Sequence, residues 1–233
     1  MEFLNAITAL LNYVIIPGAS YGSQLAFGAL GVTIVYGILR FSNFAGGETM
    51  AWGAMFTLLF TGLFQSLGIS IKPLPTAILA LPISIIITVA LILITDRAVY
   101  KFYRKNKIDP SIFVIVSLGV AMIMNGTTRI IVGPSSRNFF DGERFFIKAR
   151  DFKNATGLSE GLSLKVSQGI TIIAALIFVS LLFWFLYKTK TGKSMRAYSD
   201  NEDLALLSGI NPEKVVYISW IIATSLLVIG GTL

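Results

Sequence analysis

The chain has 233 residues, 55% of them hydrophobic and 13% charged, with 19 Lys and Arg against 12 Asp and Glu. That charge content is about half of what a water-facing surface carries, and a mean hydropathy of +0.76 excludes an ordinary soluble domain. The absence of Cys and His excludes disulfides, thiolate nucleophiles, zinc sites with His or Cys ligands, and Ser-His-Asp triads within the chain.

The apolar residues come in long blocks: Ser111–Gly126, Val166–Tyr187 and Val215–Leu233 carry no charged residue. Crossing a hydrocarbon core of about 30 Å takes roughly 20 such residues as a helix, and the blocks lack the alternation of a membrane β-strand. The expected fold is therefore all-α, a polytopic transmembrane helix bundle forming one domain over residues 1–233. The net charge of +7 fits basic cytoplasmic loops, not nucleic-acid binding.

In chain order, Met1–Ile16 reads as an interfacial or half-inserted helix that Pro17-Gly18 stops short of a span. Tyr21–Leu39 is the first full span, with Gly22, Ala26, Ala29, Thr33 and Gly37 expected on one close-packing face. A polar break, Arg40–Glu48, leads to a second span at Thr49–Phe64. Pro73–Thr95 is the third, Asp96–Pro110 a short basic loop, and Ser111–Val132 the fourth span with Asn125 and Arg129 in its second half. Gly133–Lys165 is a long polar loop with paired aromatics at Phe139-Phe140 and Phe145-Phe146. Val166–Tyr187, the polar loop Lys188–Lys214 and Val215–Leu233 complete the order.

Parity puts Arg40, Asp96–Pro110 and Lys188–Lys214 on one side, with eleven Lys and Arg, and Lys72 and Gly133–Lys165 on the other, with seven. The richer side is expected to be cytoplasmic and the N-terminus outside. Thr191-Gly192-Lys193-Ser194 imitates the end of a phosphate-binding loop, but the glycine that such a loop needs five residues before Gly192 is Tyr187.

Two segments carry functional information. In Asn43-Phe44-Ala45-Gly46-Gly47-Glu48, paired glycines adjoin an amide and a carboxylate. The segment is either an interfacial turn with Glu48 at a helix N-terminus or the lining of a polar cavity in the membrane. In Gly192–Asn211, Asp200 or Asn201 caps a short helix, Glu202 and Asp203 occupy its first turn, Gly209 suits a left-handed stop and Pro212 bars continuation. This is either a solvated loop helix or a docking element, whose Ala205 and Gly209 would share one close-approach face. Arg196 is expected to meet a partner carboxylate or lipid phosphates.

These residues resemble the permease subunits of branched-chain amino acid ABC importers. Such permeases join a first span ending in Tyr-Gly to an Asn-Phe-Ala-His-Gly segment and a later Gly-Ala pair. This chain has Tyr36-Gly37, Asn43-Phe44-Ala45-Gly46-Gly47 and Gly53-Ala54. The family's loop pattern is matched by Thr189 or Thr191, Gly192, Arg196-Ala197, Asp203-Leu204-Ala205 and Gly209-Ile210-Asn211. The Asn-Phe-Ala segment favours the H-type subunit. Gly46 stands where the family has histidine, and Asp203-Leu204 where it has Glu-Ala. Relatives continue with further spans beyond Leu233, which implies a chain lacking its C-terminal spans.

The resemblance implies a non-enzymatic permease in the bacterial cytoplasmic (inner) membrane, importing branched-chain or related small amino acids by alternating access. Its implied partners are ATP-binding subunits, a second permease, an extracytoplasmic substrate-binding protein and membrane lipid. ATP would bind only to the partner ATPases, and this chain would hold no cofactor or metal. Asn43, Phe44, Gly46, Gly47 and Glu48 are the expected path residues; Arg196, Asp203, Ala205, Gly209, Ile210 and Asn211 are the expected coupling residues. The alternative is an ATP-independent secondary transporter or channel for small polar solutes.

Overall fold

A computed structural model describes residues 2–69, 75–106, 108–133 and 145–233. The expected start of the third span at Pro73, the charges of Lys72 and Lys107, and the Phe139-Phe140 pair lie outside the described residues.

The first helix departs from expectation. Helix α1 (Glu2–Leu10), a π-turn (Leu11–Ile15) and α2 (Ile16–Leu39) form one rod of 38 residues. Pro17 does not break it, because it falls in the first turn after the π-segment, where its missing N–H costs little. The preceding Ile16 N–H reaches five residues back to the Leu11 carbonyl, so the ladder resets just before the proline. Met1–Ile16 is thus no separate interfacial helix: its described residues continue the first span.

Helix α3 (Gly46–Ser66) and α4 (Ala77–Thr95) follow. Among the described residues, five helices are long and apolar enough to cross a membrane; α3 has 21 residues but is more polar. Its polarity is internal. Thr57 and Thr61 are buried and donate back to the Gly53 and Thr57 carbonyls at 2.9 and 2.7 Å, and Ser84 of α4 also donates to the Gly53 carbonyl at 2.7 Å.

The basic loop expected from Asp96 onward is mostly helix. A π-turn (Asp96–Tyr100) and α5 (Lys101–Lys105) carry α4 on as one run ending at Lys105. Asp109 then opens α6 (Pro110–Val132), accepting from the Ser111 N–H at 2.8 Å, with Pro110 at the first helical position. That backbone hydrogen bond holds the Asp109 carboxyl below its ordinary range. Beyond α6, strands β1 (Phe145–Ile147) and β2 (Leu164–Lys165) pair antiparallel around α7 (Ala149–Thr156). Helices α8 (Val166–Lys188), α9 (Lys190–Asp200), α10 (Glu202–Leu207) and α11 (Pro212–Thr232) complete the described chain.

Helix α11 is the axis, packed by α2, α3 and α4. Glycine permits the approach. A Cβ on Gly31 would lie 2.7 Å from Leu227 Cγ, on Gly53 2.8 Å from Val228 Cα, and on Gly231 2.5 Å from the Met50 carbonyl oxygen. In lipid, such contact replaces the hydrophobic drive of water. The small-residue face read from the sequence is not the one packed on α11: Gly22 and Ala26 lie opposite α8. Ala29 and Thr33 are exposed, and the buried stripe of α2 is Phe27, Gly31, Val35 and Ile38.

Contacts group the connections as parity requires. Arg40 meets Ser199, and Lys101 pairs with Glu213 at 2.7 Å, so one end gathers Arg40, α5 and the α9–α10 segment. At the other end, Asn12 Oδ1 accepts from the Ser163 N–H at 3.0 Å and Asn5 Oδ1 from the Glu160 N–H at 3.4 Å. The chain has no native cysteine, so single-cysteine labelling reads sidedness directly. An impermeant maleimide is expected to label Lys148→Cys in intact cells and Lys105→Cys only after permeabilisation; the reverse pattern would invert the assignment.

Candidate functional site

Helix α2 ends at Arg40, the one non-glycine residue with positive φ among the described residues, at 58°. Its N–H closes the helix on the Tyr36 carbonyl at 2.9 Å. Its guanidinium donates to the Ser199 carbonyl, and Ser199 Oγ donates to the Gly37 carbonyl at 2.8 Å. The end of α2 is thereby fastened to α9.

The next residues turn inward. Phe41 is buried between the rings of Phe113 and Tyr100, at 4.9 and 5.5 Å. Asn43 Oδ1 accepts from the Ala45 N–H at 3.1 Å and from the Tyr100 hydroxyl at 3.3 Å, and the Phe44 N–H donates to Ser117 Oγ at 3.2 Å. Ala45 and Gly46 are buried, while Phe44 and Gly47 are exposed. A Cβ at Gly46 would press on Val32 at 3.3 Å, whereas one at Gly47 would meet nothing within 4 Å.

Glu48 lies deeper than its place beside a connecting segment suggested. Its carboxylate accepts from Asn125 Nδ2 at 2.9 Å. Asn125 is fifteen residues into α6, about 22 Å from its start at 1.5 Å per residue. Insertion scales put a charge at the bilayer centre at roughly 2.5–3.5 kcal/mol, and here an amide donor offsets part of that cost.

Beneath the break lies a polar cluster that sequence reasoning missed. Asp96 accepts from both guanidinium nitrogens of Arg104, at 2.5 and 3.0 Å, and from Trp220 Nε1 at 2.8 Å. Tyr100 stacks on Trp220 at 5.6 Å. The signal was present: Asp96, Tyr100 and Arg104 recur every four residues, which puts them on one face of a continuing helix. Reading a loop from Asp96 concealed it.

The segment after α8 also holds more structure than expected, since α9 fills what was read as loop. Thr189 Oγ1 caps it, accepting from the Gly192 N–H at 3.0 Å. Gly192 is required there, because a Cβ would sit 2.3 Å from the Phe185 carbonyl oxygen. Within this chain the Arg196 guanidinium lies 4.4 Å from the centre of the Tyr187 ring. Burial, then the hydrogen bond to Glu202 at 2.7 Å, pushes the Tyr198 hydroxyl above its ordinary value.

Asn201 caps α10, accepting from the Leu204 N–H at 3.0 Å, and Gly209 ends it at φ 79°. Asn211 caps α11, accepting from the Lys214 N–H at 3.2 Å, and Ile210 packs on the core. Ala205 and Gly209 do not form an outward face. Ala205 is buried in its own bundle, whereas Leu204 and Leu207 are 61% and 85% exposed. Asp203 joins Arg40, Arg104, Tyr198 and Glu202 around a cavity of about 400 Å³.

A multi-pass helical membrane protein with a break inside the bundle and a rigid helix pair at its basic end has the build of a transporter subunit. Residues 14–233 match the family described as branched-chain amino acid transport system / permease component, and the chain belongs to that family. It is 25% identical to the high-affinity branched-chain amino acid transport system permease protein LivH of Salmonella typhimurium, an alignment covering 100% of this chain and 71% of the relative. Against the Pseudomonas aeruginosa permease BraD it is 23% identical, covering 94% of this chain and 69% of the relative. Against a probable LivH of Methanocaldococcus jannaschii the identity is 29%, covering 94% and 65%. No solved structure matches the chain.

The ion pair of Asp96 and Arg104, with side chains only 13% and 19% exposed, makes a stability test. Losing one partner of a buried pair typically costs about 3–5 kcal/mol. Asp96→Ala and Arg104→Ala are each expected to lower resistance to denaturation in detergent, with the double variant losing less than their sum.

Proposed function

We propose that this chain is the transmembrane permease subunit of an ATP-driven importer of branched-chain or related small amino acids, seated in the cytoplasmic membrane. The observation that carries this reading is the family match, which runs from residue 14 to residue 233. The family is one of transport permeases rather than enzymes, and none of the relatives named above is described as a secondary carrier or channel.

In this reading a second permease completes the path, a substrate-binding protein delivers solute from outside, and ATPase subunits dock at the basic end. Asn43–Glu48 lines the path, with Phe44 and Gly47 on its open side and Gly46 packed behind. The α9–α10 segment receives the ATPases through Leu204 and Leu207, while Ala205 and Ile210 brace it from within, Arg196 rests on Tyr187, Gly209 ends α10 and Asn211 caps α11. Asp203 faces the cleft beside Arg40. Movement of α10 reaches α11 through the Gly209–Asn211 connection and α2 through the Ser199–Arg40 contact. Rigid-body rearrangement then opens the path alternately to each side.

The test is ATP-dependent leucine uptake by liposomes holding the complete complex. Leu207→Asp places a charge on the exposed apolar surface and is expected to lower co-purification of the ATPase at least fivefold, with membrane insertion unchanged. Full ATPase recovery and full uptake would remove α10 from the interface. Gly47→Leu is expected to cut uptake while the complex still assembles, since the added bulk enters open space rather than the chain's own packing. Undiminished uptake would reduce Asn43–Glu48 to a connecting turn.

A further inference from the structure

Glu48 of α3 faces Asn125 and Arg129 of α6 across an open-sided cavity of about 340 Å³, which Leu118, Ala121 and Met122 of α6 also line. The volume lies within the range of small-molecule sites, roughly 300–1,000 Å³. The two charges do not neutralise each other. The ion pairs among the described residues are Lys101–Glu213 and Arg104–Asp96, so Glu48 and Arg129 face one cavity without forming a salt bridge. Asn125 donates to one oxygen of Glu48, and no described side chain donates to the other.

Position sharpens the point. Asn125 and Arg129 are fifteen and nineteen residues into the 23-residue α6, about 22 and 28 Å from the basic end. The cavity therefore opens in the half of the bundle away from the proposed ATPase side. Glu48, held by Asn125, lies within the span, where an ionisable group faces protein or water and not lipid, whereas Arg129 is in the last turn of α6 and reaches the cavity from its outer end. What fits between a carboxylate and a guanidinium, beside an aliphatic wall, carries a cation and an anion close together with an apolar tail.

We infer that this cavity is a transfer site for the zwitterion of an aliphatic α-amino acid. Glu48 takes the ammonium group, Arg129 takes the carboxylate, and Leu118, Ala121 and Met122 meet the side chain. Asn125 is a positioning residue that orients the Glu48 carboxylate. The site rests on the importer reading above and deepens it: solute released from outside is held by its backbone charges before the path opens to the other side. Apolar contact alone discriminates aliphatic side chains only modestly, by about 10–200-fold per methylene, so the site accepts several of them.

The test uses the complete complex with its binding protein in liposomes, and measures uptake of radiolabelled leucine beside ATP hydrolysis. Glu48→Gln keeps an oxygen for Asn125 and removes the charge; Arg129→Gln does the same for the other pole. Each is expected to lower uptake at least tenfold while binding-protein-stimulated hydrolysis stays within twofold, and Arg129→Lys is expected to recover part of the loss. Met122→Trp, at a position 76% exposed in this chain, is expected to block uptake by filling the cavity without disturbing the fold. Uptake within twofold of the parent in either charge variant, or in Met122→Trp, overturns the site. Complexes that fall apart in both charge variants overturn it too, because the charges would then be holding the neighbouring permease. A parent complex that hydrolyses ATP yet imports no amino acid refutes the importer reading itself, a result distinct from failure of the site.

Discussion

Everything in this bundle depends on how closely α11 is approached by its neighbours. In hydrocarbon, lipid tails are as apolar as leucine, and helices gain little by merely covering apolar surface. Gly31, Gly53 and Gly231 let backbone and short side chains meet where a single methyl would collide. Once α2 and α3 are drawn against one axis, the segment between them must turn within the bundle. The depth of Glu48 and the burial of Phe41 both follow from that geometry.

The second level of order is a chain of rings and polar groups crossing between helices. Trp220 of α11 meets Tyr100, Tyr100 meets Phe41, and Phe41 meets Phe113 of α6. The Asp96 carboxylate is shared by Arg104 and Trp220, and the Tyr100 hydroxyl reaches Asn43. One connected network therefore touches the π-turn that follows α4, together with α5, α6, α11 and the break. Low local dielectric strengthens such bonds and raises the cost of leaving any one unmade.

Much of this was legible in the sequence. Long uncharged blocks announced membrane helices, and the order of connections followed from parity. The caps at Asn201 and Asn211 and the stop at Gly209 are local chemistry that a few adjacent residues determine. What failed depended on context. Pro17 is a strong breaker in isolation, yet a π-turn just before it removed the conflict. The face of α2 could not be chosen from Gly22, Ala26 and Ala29, because Gly31 is close-packed only by virtue of Leu227 and Ala223, about two hundred residues away. The Asp96 cluster was hidden by taking charge as a sign of loop, though a charge paired inside the bundle is equally compatible with helix. Of the segment Asn43–Glu48, the sequence marked the position of the break but not which glycine is packed and which is open.

Arg40 holds a conformation that glycine would adopt freely. An L-residue there is penalised by roughly 1–2 kcal/mol, and the contact of its guanidinium with Ser199 works against that penalty. The joint between α2 and α9 is therefore preloaded, like a latch closed against a spring. A glycine at position 40 would relax the backbone and leave the Ser199 hydroxyl on the Gly37 carbonyl as the remaining tie between the two helices. An arginine makes their separation and the unwinding of the α2 terminus a single event, so slack between them is replaced by a threshold.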